Sequence, residues 1–338
     1  MHPQDVVSVP MRPLSDASAQ SPGDDRSHAV TVVIPTLDRS HLLRQTLRAV
    51  LDQQGVDLEV VVVNDGSSDS TASYLDGVAD RRVRVVRHDR PSGMAEARNA
   101  GIRVARTDWV AFCDDDDLWA PTKLATQLAT AEASRRTWVY AGVVEVDDQL
   151  RVLSGEPPKP PVQVVAELSR WDPVPAGASN VVVHRDALEQ VGSFSPDLRH
   201  AADWDLWLRL ARHGDPACVA RPLVAYRQHR SNMTRDSAGM LSEIDVLERR
   251  SGGAVDRTAF YRWVAGRCLD TGRWWEAVTW MRHAARSADN PGGELLRDGR
   301  MLAAATRREI GRLTRRPQRS AGDPAWCAQA ERWLEGCR

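Results

Sequence analysis

The stretch FCDDDDLW (112–119) sets four consecutive carboxylates, Asp114, Asp115, Asp116 and Asp117, directly behind an apolar run. Adjacent carboxylates repel one another and are costly beside a low-dielectric core, so the arrangement calls for a compensating cation or for solvent. Oxygen ligands select hard cations, and magnesium or manganese commonly links a short carboxylate set to phosphate oxygens. By itself the run reads equally well as a solvated acidic loop. Its position at a strand end favours the ligand reading, because open α/β sheets bind ligands at the carboxyl ends of their strands. A second strand end carries VVVNDGSSDS (61–70), where Asp65 sits in strong turn chemistry and Asp69 or Ser70 serves equally as a helix cap. A third, VVIPTLDR (32–39), lies at the end of the first apolar run, so three strand ends are expected to face one crevice.

The elements that must position these residues alternate regularly. AVTVVIP (29–35), LEVVVVN (58–64), RVRVVRH (82–88) and DWVAFC (108–113) read as strands. Between them, SHLLRQTLRAVLDQQ (40–54, with Ser40 as N-cap), STASYLDGV (70–78) and MAEARNAGIRVA (94–105) read as helices. Continuous Val/Ile runs separated by amphipathic helices define an α/β domain whose mainly parallel sheet is covered on both faces. RVLSGEPPKPPVQ (151–163) reads as a flexible or lid-like excursion, and strand and helix signals resume from Asn180 to about Tyr226. Beyond Ser237 only helical patterns remain. One segment there, with Gly272, Ala277, Ala284 and Pro291, resembles a single tetratricopeptide hairpin, and its region is expected to pack Trp263, Trp274, Trp275 and Trp280 onto itself or the first domain.

Composition bounds the possibilities. The 338 residues suit about two domains, with residues 1–28 expected to be disordered because they hold little periodic apolar content. A net charge of −1 gives no footprint for nucleic acid. Five scattered cysteines read as reduced thiols, which makes the cytoplasm the expected compartment, and no apolar run approaches the length of a membrane span. The basic run RREIGRLTRRPQR (307–319) reads as a solvated helical face, with peripheral contact to anionic lipid at the inner face of a membrane as the alternative.

Taken in order, IPT (34–36), NDGSSD (64–69), GMAEARNAGI (93–102), DDDDLW (114–119), VGSF (191–194), DWDLWLRL (203–210) and YRQH (226–229) resemble family 2 glycosyltransferases of the GT-A fold over about residues 29–235. The resemblance implies a donor half (about 29–120) and an acceptor half (about 121–237), ahead of the helical region (238–338). It implies an inverting enzyme that moves a sugar from a nucleoside-diphosphate sugar, a UDP-sugar first among donors, to an acceptor hydroxyl of unknown identity. Pro35, Thr36, Asp38, Asp65, Arg98, Asp114, Asp115 and Arg227 would then bind substrate, Asp116 and His229 would hold Mn2+ or Mg2+, and Asp203 would be the base, with Asp205 its rival. Trp171 could stack on a sugar ring. The family's Glu-Asp signature is Ala202-Asp203 here.

Three other readings compete. A nucleotidyltransferase would need a Gly-rich basic loop after the first strand, and a dinucleotide-dependent oxidoreductase would need GxGxxG there; IPTLDRSHL supplies neither. A catalytically inactive sugar-nucleotide-binding module on the same scaffold is the third. Asp203 serves equally as an N-cap of the helix that follows it.

Overall fold

The computed structural model describes residues 29–229, 236–270, 272–290, 292–293, 297–303, 305–306 and 321–338. The expected disorder of residues 1–28, the basic run 307–319 and Pro291 lie outside them. The strands expected from the apolar runs form in place: β1 (Ala29–Thr36), β2 (Asp57–Asn64), β3 (Val83–Arg87) and β4 (Trp109–Phe112). They pair in parallel in the order β3-β2-β1-β4. Helices α1 (Ser40–Leu51), α2 (Thr71–Asp76) and α3 (Met94–Val104) make the crossovers.

Alternation along β1 explains why both faces are covered. Val30, Val32 and Ile34 join Leu43, Leu47 and Val50 of α1 in one apolar layer, while Val33 joins Ala97 and Ala100 of α3 in the other. Register then fixes the edge that matters, with Thr36 opposite Asn64 and Val33 opposite Phe112. The Cys113 N–H donates to the Val33 carbonyl at 3.0 Å, so the acidic run leaves the sheet beside Thr36.

The second half adds β5 (Leu118–Trp119), α4 (Lys123–Ser134), β6 (Trp138–Val146), β7 (Val152–Glu156), α5 (Pro161–Glu167), β8 (Val182–His184), α6 (Arg185–Val191), α7 (Ala202–His213) and β9 (Ala217–Arg227). β8 pairs antiparallel with both β4 and β6, β9 runs parallel to β6, and β5 pairs antiparallel with β9. Trp138 of β6 stacks on Trp207 of α7 with ring centroids 6.0 Å apart and 6° between planes, which sets the position of α7 on the sheet.

Four expectations are corrected. The proline-rich stretch is not a free excursion, because β7 pairs with β6 and Pro161 opens α5. Ser40 does not cap α1; Arg39 holds that position without a side-chain bond, and the Ser40 N–H instead donates to Asp69 Oδ2 at 3.2 Å. The region after Ser237 is not wholly helical, since β10 (Ala321–Gly322) pairs in parallel with β7. Of the four tail tryptophans, Trp275 does not pack inward and is 86% exposed.

The expected helices α8 (Ser237–Ser251), α9 (Arg257–Asp270) and α10 (Trp274–Ser287) are present. Tyr261 near the start of α9 stacks on Trp280 of α10 at 5.7 Å, so the two form an antiparallel hairpin around buried Ala277 and Ala284. Phe260, Val264, Cys268 and Met281 share one continuous apolar cluster with Trp207, Leu210 and Val33. The C-terminal helix Pro324–Leu334 covers the far end of the sheet, where Trp326 Nε1 donates to the Val143 carbonyl at 3.0 Å. A Cβ on Gly142 would lie 2.0 Å from that indole, so glycine is required for the contact. Among the described residues no helix is long and apolar enough to cross a membrane.

One buried cation stands apart. Lys123 is 0% exposed, with Nζ 3.7 Å from the Trp119 ring centroid and no hydrogen-bond partner among the described residues. Burial pulls its pKa down to about 7. The charged form is therefore penalised in the folded state, fully below pH 7 and progressively less as pH rises toward the unfolded value. Lys123→Met should raise the melting temperature by about 2 °C or more at pH 6, with the gain shrinking toward pH 10; thermal unfolding across that range checks both the size and the sign.

Candidate functional site

The acidic run lies where β1, β4, β5 and β9 meet. Asp115 is 3% exposed; its Oδ2 accepts from Thr36 Oγ1 at 2.7 Å and its Oδ1 from Arg39 NH1 at 3.2 Å. The same Arg39 nitrogen donates to Asp116 Oδ2 at 2.8 Å, an oxygen that also lies 2.8 Å from His229 Nε2. Asp117 is fully buried and accepts from the Arg227 backbone N–H at 3.0 Å, a consequence of β5 pairing with the end of β9. The Arg227 guanidinium donates to Gln45 Oε1 at 2.8 Å.

Arg98 joins the two halves. Its guanidinium, 4% exposed, donates to Asp114 Oδ1 at 2.6 Å and to Asp203 Oδ1 at 2.5 Å. Asp114 and Asp203 are 105 − 16 = 89 residues apart in the chain by these separations, yet one planar fork reaches both. The Asp203 side chain is not a helix cap: its Oδ2 accepts from the Ala178 N–H at 3.0 Å, in the short turn Gly177–Asn180. A Cβ on Gly177, which has φ +48°, would lie 2.6 Å from that oxygen. The turn is itself pinned, because Asn180 exchanges two hydrogen bonds with the Ala141 backbone of β6 and Ser179 Oγ accepts from the Asp114 N–H. Asp205 is occupied elsewhere, by Ser195 and Arg209.

Charge explains the strain in this cluster. Asp114 to Asp117 and Asp203 are five carboxylates met by the guanidinium groups of Arg39 and Arg98 and by the backbone N–H of Arg227. Burial first, and the Asp116 charge next, push Asp115 up to about 7. Burial likewise raises Asp114 and lifts Asp117 well above the carboxylate range. Asp117 Oδ2 is buried without a partner among the described residues. Asp116 and His229 bring one oxygen and one nitrogen donor together, and among the described residues no group of three or more metal-ligating side chains converges. Asp116 Oδ2 and His229 Nε2 stand 2.8 Å apart, close to the separation of about 3 Å between neighbouring ligands around an ion bound at about 2.1 Å.

The remaining expected residues take different places. Asp65 is saturated by the loop that follows β3, accepting from His88 Nδ1, from Ser92 N and Oγ, and from Gly93 N at 2.6 to 2.9 Å. Burial opposes its ionisation, but those donors outweigh it and hold Asp65 below its ordinary value. Asp38, at φ +54°, ties the first turn to the second by accepting from the Ser68 and Asp69 N–H groups. Pro35 and Thr36 end β1 beside Asn64. Trp171 makes its ring contact with Trp263 of α9, at 6.0 Å and 72°.

Sequence reasoning missed Arg39, His88 and Asp172. Arg39 was legible as the last residue of VVIPTLDR, but nothing in the spacing showed it turning back to the acidic run. Asp172 is pushed up to about 7 by burial and, to a lesser degree, by the Asp203 charge.

A mixed sheet, parallel through β3-β2-β1-β4 and covered by helices on both faces, is the architecture of the GT-A class. The architecture is that of the glycosyltransferase TarS from S. aureus: the complex with UDP-GlcNAc superposes with a TM-score of 0.55, covering 77% of this chain and 82% of that one at 14% identity. Residues 31–190 match the family described as Glycosyl transferase family 2, and that region belongs to the family. Among its relatives, the succinoglycan biosynthesis protein ExoO of Rhizobium meliloti (strain 1021) is 37% identical over 113 residues, covering 33% of this chain and 32% of that protein. The chain thus matches about a third of that relative's length. The UDP-Glc:alpha-D-GlcNAc-diphosphoundecaprenol beta-1,3-glucosyltransferase WfaP of Escherichia coli is 24% identical over 186 residues, covering 55% of this chain and 71% of that protein.

Proposed function

We propose that the chain transfers a sugar from a UDP-sugar to an acceptor hydroxyl with inversion, using a divalent cation. The observation that carries the reading is the Arg98 fork, which sets Asp203 across the crevice from the strand-end carboxylates. Membership of residues 31–190 in family 2, the UDP-Glc in the name of WfaP and the UDP-GlcNAc in the TarS complex support the donor class.

Thr36 and Pro35 border the nucleoside side of the crevice, and Asp65 holds the 88–93 loop and the start of α3 against it. Asp116 and His229 would hold the cation, with Asp114 and Asp115 beside it. Bound there, Mn2+ or Mg2+ would neutralise the charge that develops on the departing nucleoside diphosphate. Asp203 receives the acceptor proton: each of its oxygens uses one acceptor position on Arg98 or Ala178 and keeps another. As the hydroxyl oxygen bonds to the anomeric carbon, the carbon–diphosphate bond breaks with its electron pair leaving on the nucleotide. A single displacement of this kind inverts the anomeric centre. Arg98 keeps Asp203 aimed and Asp114 in place, and the Gly177–Asn180 turn supplies the second restraint.

Thermal unfolding with a panel of sugar nucleotides and Mn2+ tests the donor assignment. One UDP-sugar should raise the melting temperature of the wild type, and Asp116→Asn should respond far less; an equal response would remove Asp116 from the donor site. Asp203→Asn should keep the donor-dependent shift and lose transfer by about a hundredfold or more, and unchanged turnover would place the base elsewhere.

Arg39 carries a further consequence for the cation. Its guanidinium occupies Asp116 Oδ2, so a divalent ion must displace it. Arg39→Gln should therefore bind Mn2+ about tenfold more tightly in the absence of donor, read by titration calorimetry. An unchanged or weakened affinity would show that Arg39 does not compete.

A further inference from the structure

Between the first domain's outer loop and the tail helices lies a cavity of about 560 Å³. Trp171 and Trp263 form one wall, with Ala259 and Met301 beside them. It is an open cleft with a volume in the range of small-molecule sites. Its charged lining is Lys159, Arg170 and Arg262 with Glu167 and Asp256; Arg170 lies 3.6 Å from Asp256, and Lys159 pairs with Glu167. Two indoles at 72° beside these hydrogen-bonding groups suit a hydroxyl-rich ring, whose apolar face lies on an aromatic surface while its edge exchanges hydrogen bonds.

The cavity is also tied to the proposed base. Its loop, 168–178, is fastened to the first turn of α7 at both ends. The Leu168 carbonyl accepts from Trp204 Nε1 at 2.7 Å, and the Ala178 N–H donates to Asp203 Oδ2 at 3.0 Å. Trp171 stands within that span, next to Asp172. A sugar held on Trp171 is thus referenced through one short loop to the carboxylate that must take its proton, or that of the residue linked to it.

We infer that the Trp171–Trp263 cavity binds a sugar ring of the acceptor, so that the substrate accepting the transferred unit is itself a glycan or glycoconjugate and the tail helix α9 takes part in selecting it. The inference rests on the transferase reading above.

The test uses the full chain, the radiolabelled UDP-sugar that most stabilises the wild type, and an envelope extract of the source cells as acceptor. Two quantities are read: label incorporated into the extract's glycan or glycolipid fraction, and label released to water as free sugar. Ala259→Trp, which fills the cavity, and Trp171→Ala should each lower incorporation by about tenfold or more, while Trp171→Phe, which keeps a ring face, stays within about twofold of the wild type. Release to water and the donor-dependent thermal shift should be unchanged in Ala259→Trp. Should Ala259→Trp not fold, the Trp171 pair alone decides. Undiminished incorporation by Trp171→Ala overturns the inference, and so does a parallel loss of release to water, which would assign Trp171 to the donor. If the wild type neither releases nor incorporates label, the transferase reading itself falls, an outcome separate from the other two.

Discussion

The site depends on one guanidinium with two carboxylates. Arg98 lies on α3, in the half that ends at the β4 edge, and reaches Asp114 in its own half and Asp203 in the other. At 4% exposure the pairing is shielded from water, so removing either carboxylate would leave a buried charge incompletely met. Such pairs are weak sources of net stability and strong sources of geometry. Here the geometry is the distance between the place where a leaving group's charge would develop and the place where a proton would be taken.

The surrounding charges follow from that arrangement. A fold that directs five carboxylates into a largely buried edge must supply cations or accept raised carboxyl pKa values, and this one does both: Arg39 is drawn in while Asp115 and Asp117 are pushed upward. In the proposed reaction a divalent ion would bring diphosphate oxygens to this cluster.

Much of the donor half was legible in the sequence because its strands are self-announcing. Valine runs such as LEVVVVN can be buried on both faces only in a parallel sheet, and the turn chemistry of NDGSSD follows at once. What could not be read was which carboxylates would be spent on the scaffold. Asp65, Asp69 and Asp38 look alike along the chain, yet each is consumed by backbone N–H groups of neighbouring turns, an outcome set by how three loops approach one another. Arg39 and Asp172 escaped for the same reason, since their partners are separated from them by tens of residues. The proline-rich stretch misled because proline density signals a loop locally, whereas β6 offered an unpaired edge that β7 could join.

The two sides of the crevice are built by different physical means. The donor side is held by backbone ladders, so its carboxylates emerge at positions dictated by strand register. The acceptor side is held by side chains: α7 begins where Glu243 of α8 accepts from the His200 and Ala201 N–H groups at 2.8 Å each, the 168–178 loop hangs on Trp204 and Asp203, and Arg170 and Trp171 meet α9. Each of those ties runs to a helix beyond residue 237 or to α7 itself. The tail is therefore tied to α7: it satisfies the N–H groups of the two residues that lead into the helix carrying Asp203. Ladders tolerate few changes in position, whereas side-chain ties can be rebuilt around a different surface. In the proposed transferase the nucleotide contacts would stay fixed by the sheet, while the wall facing the second substrate would be set by the tail.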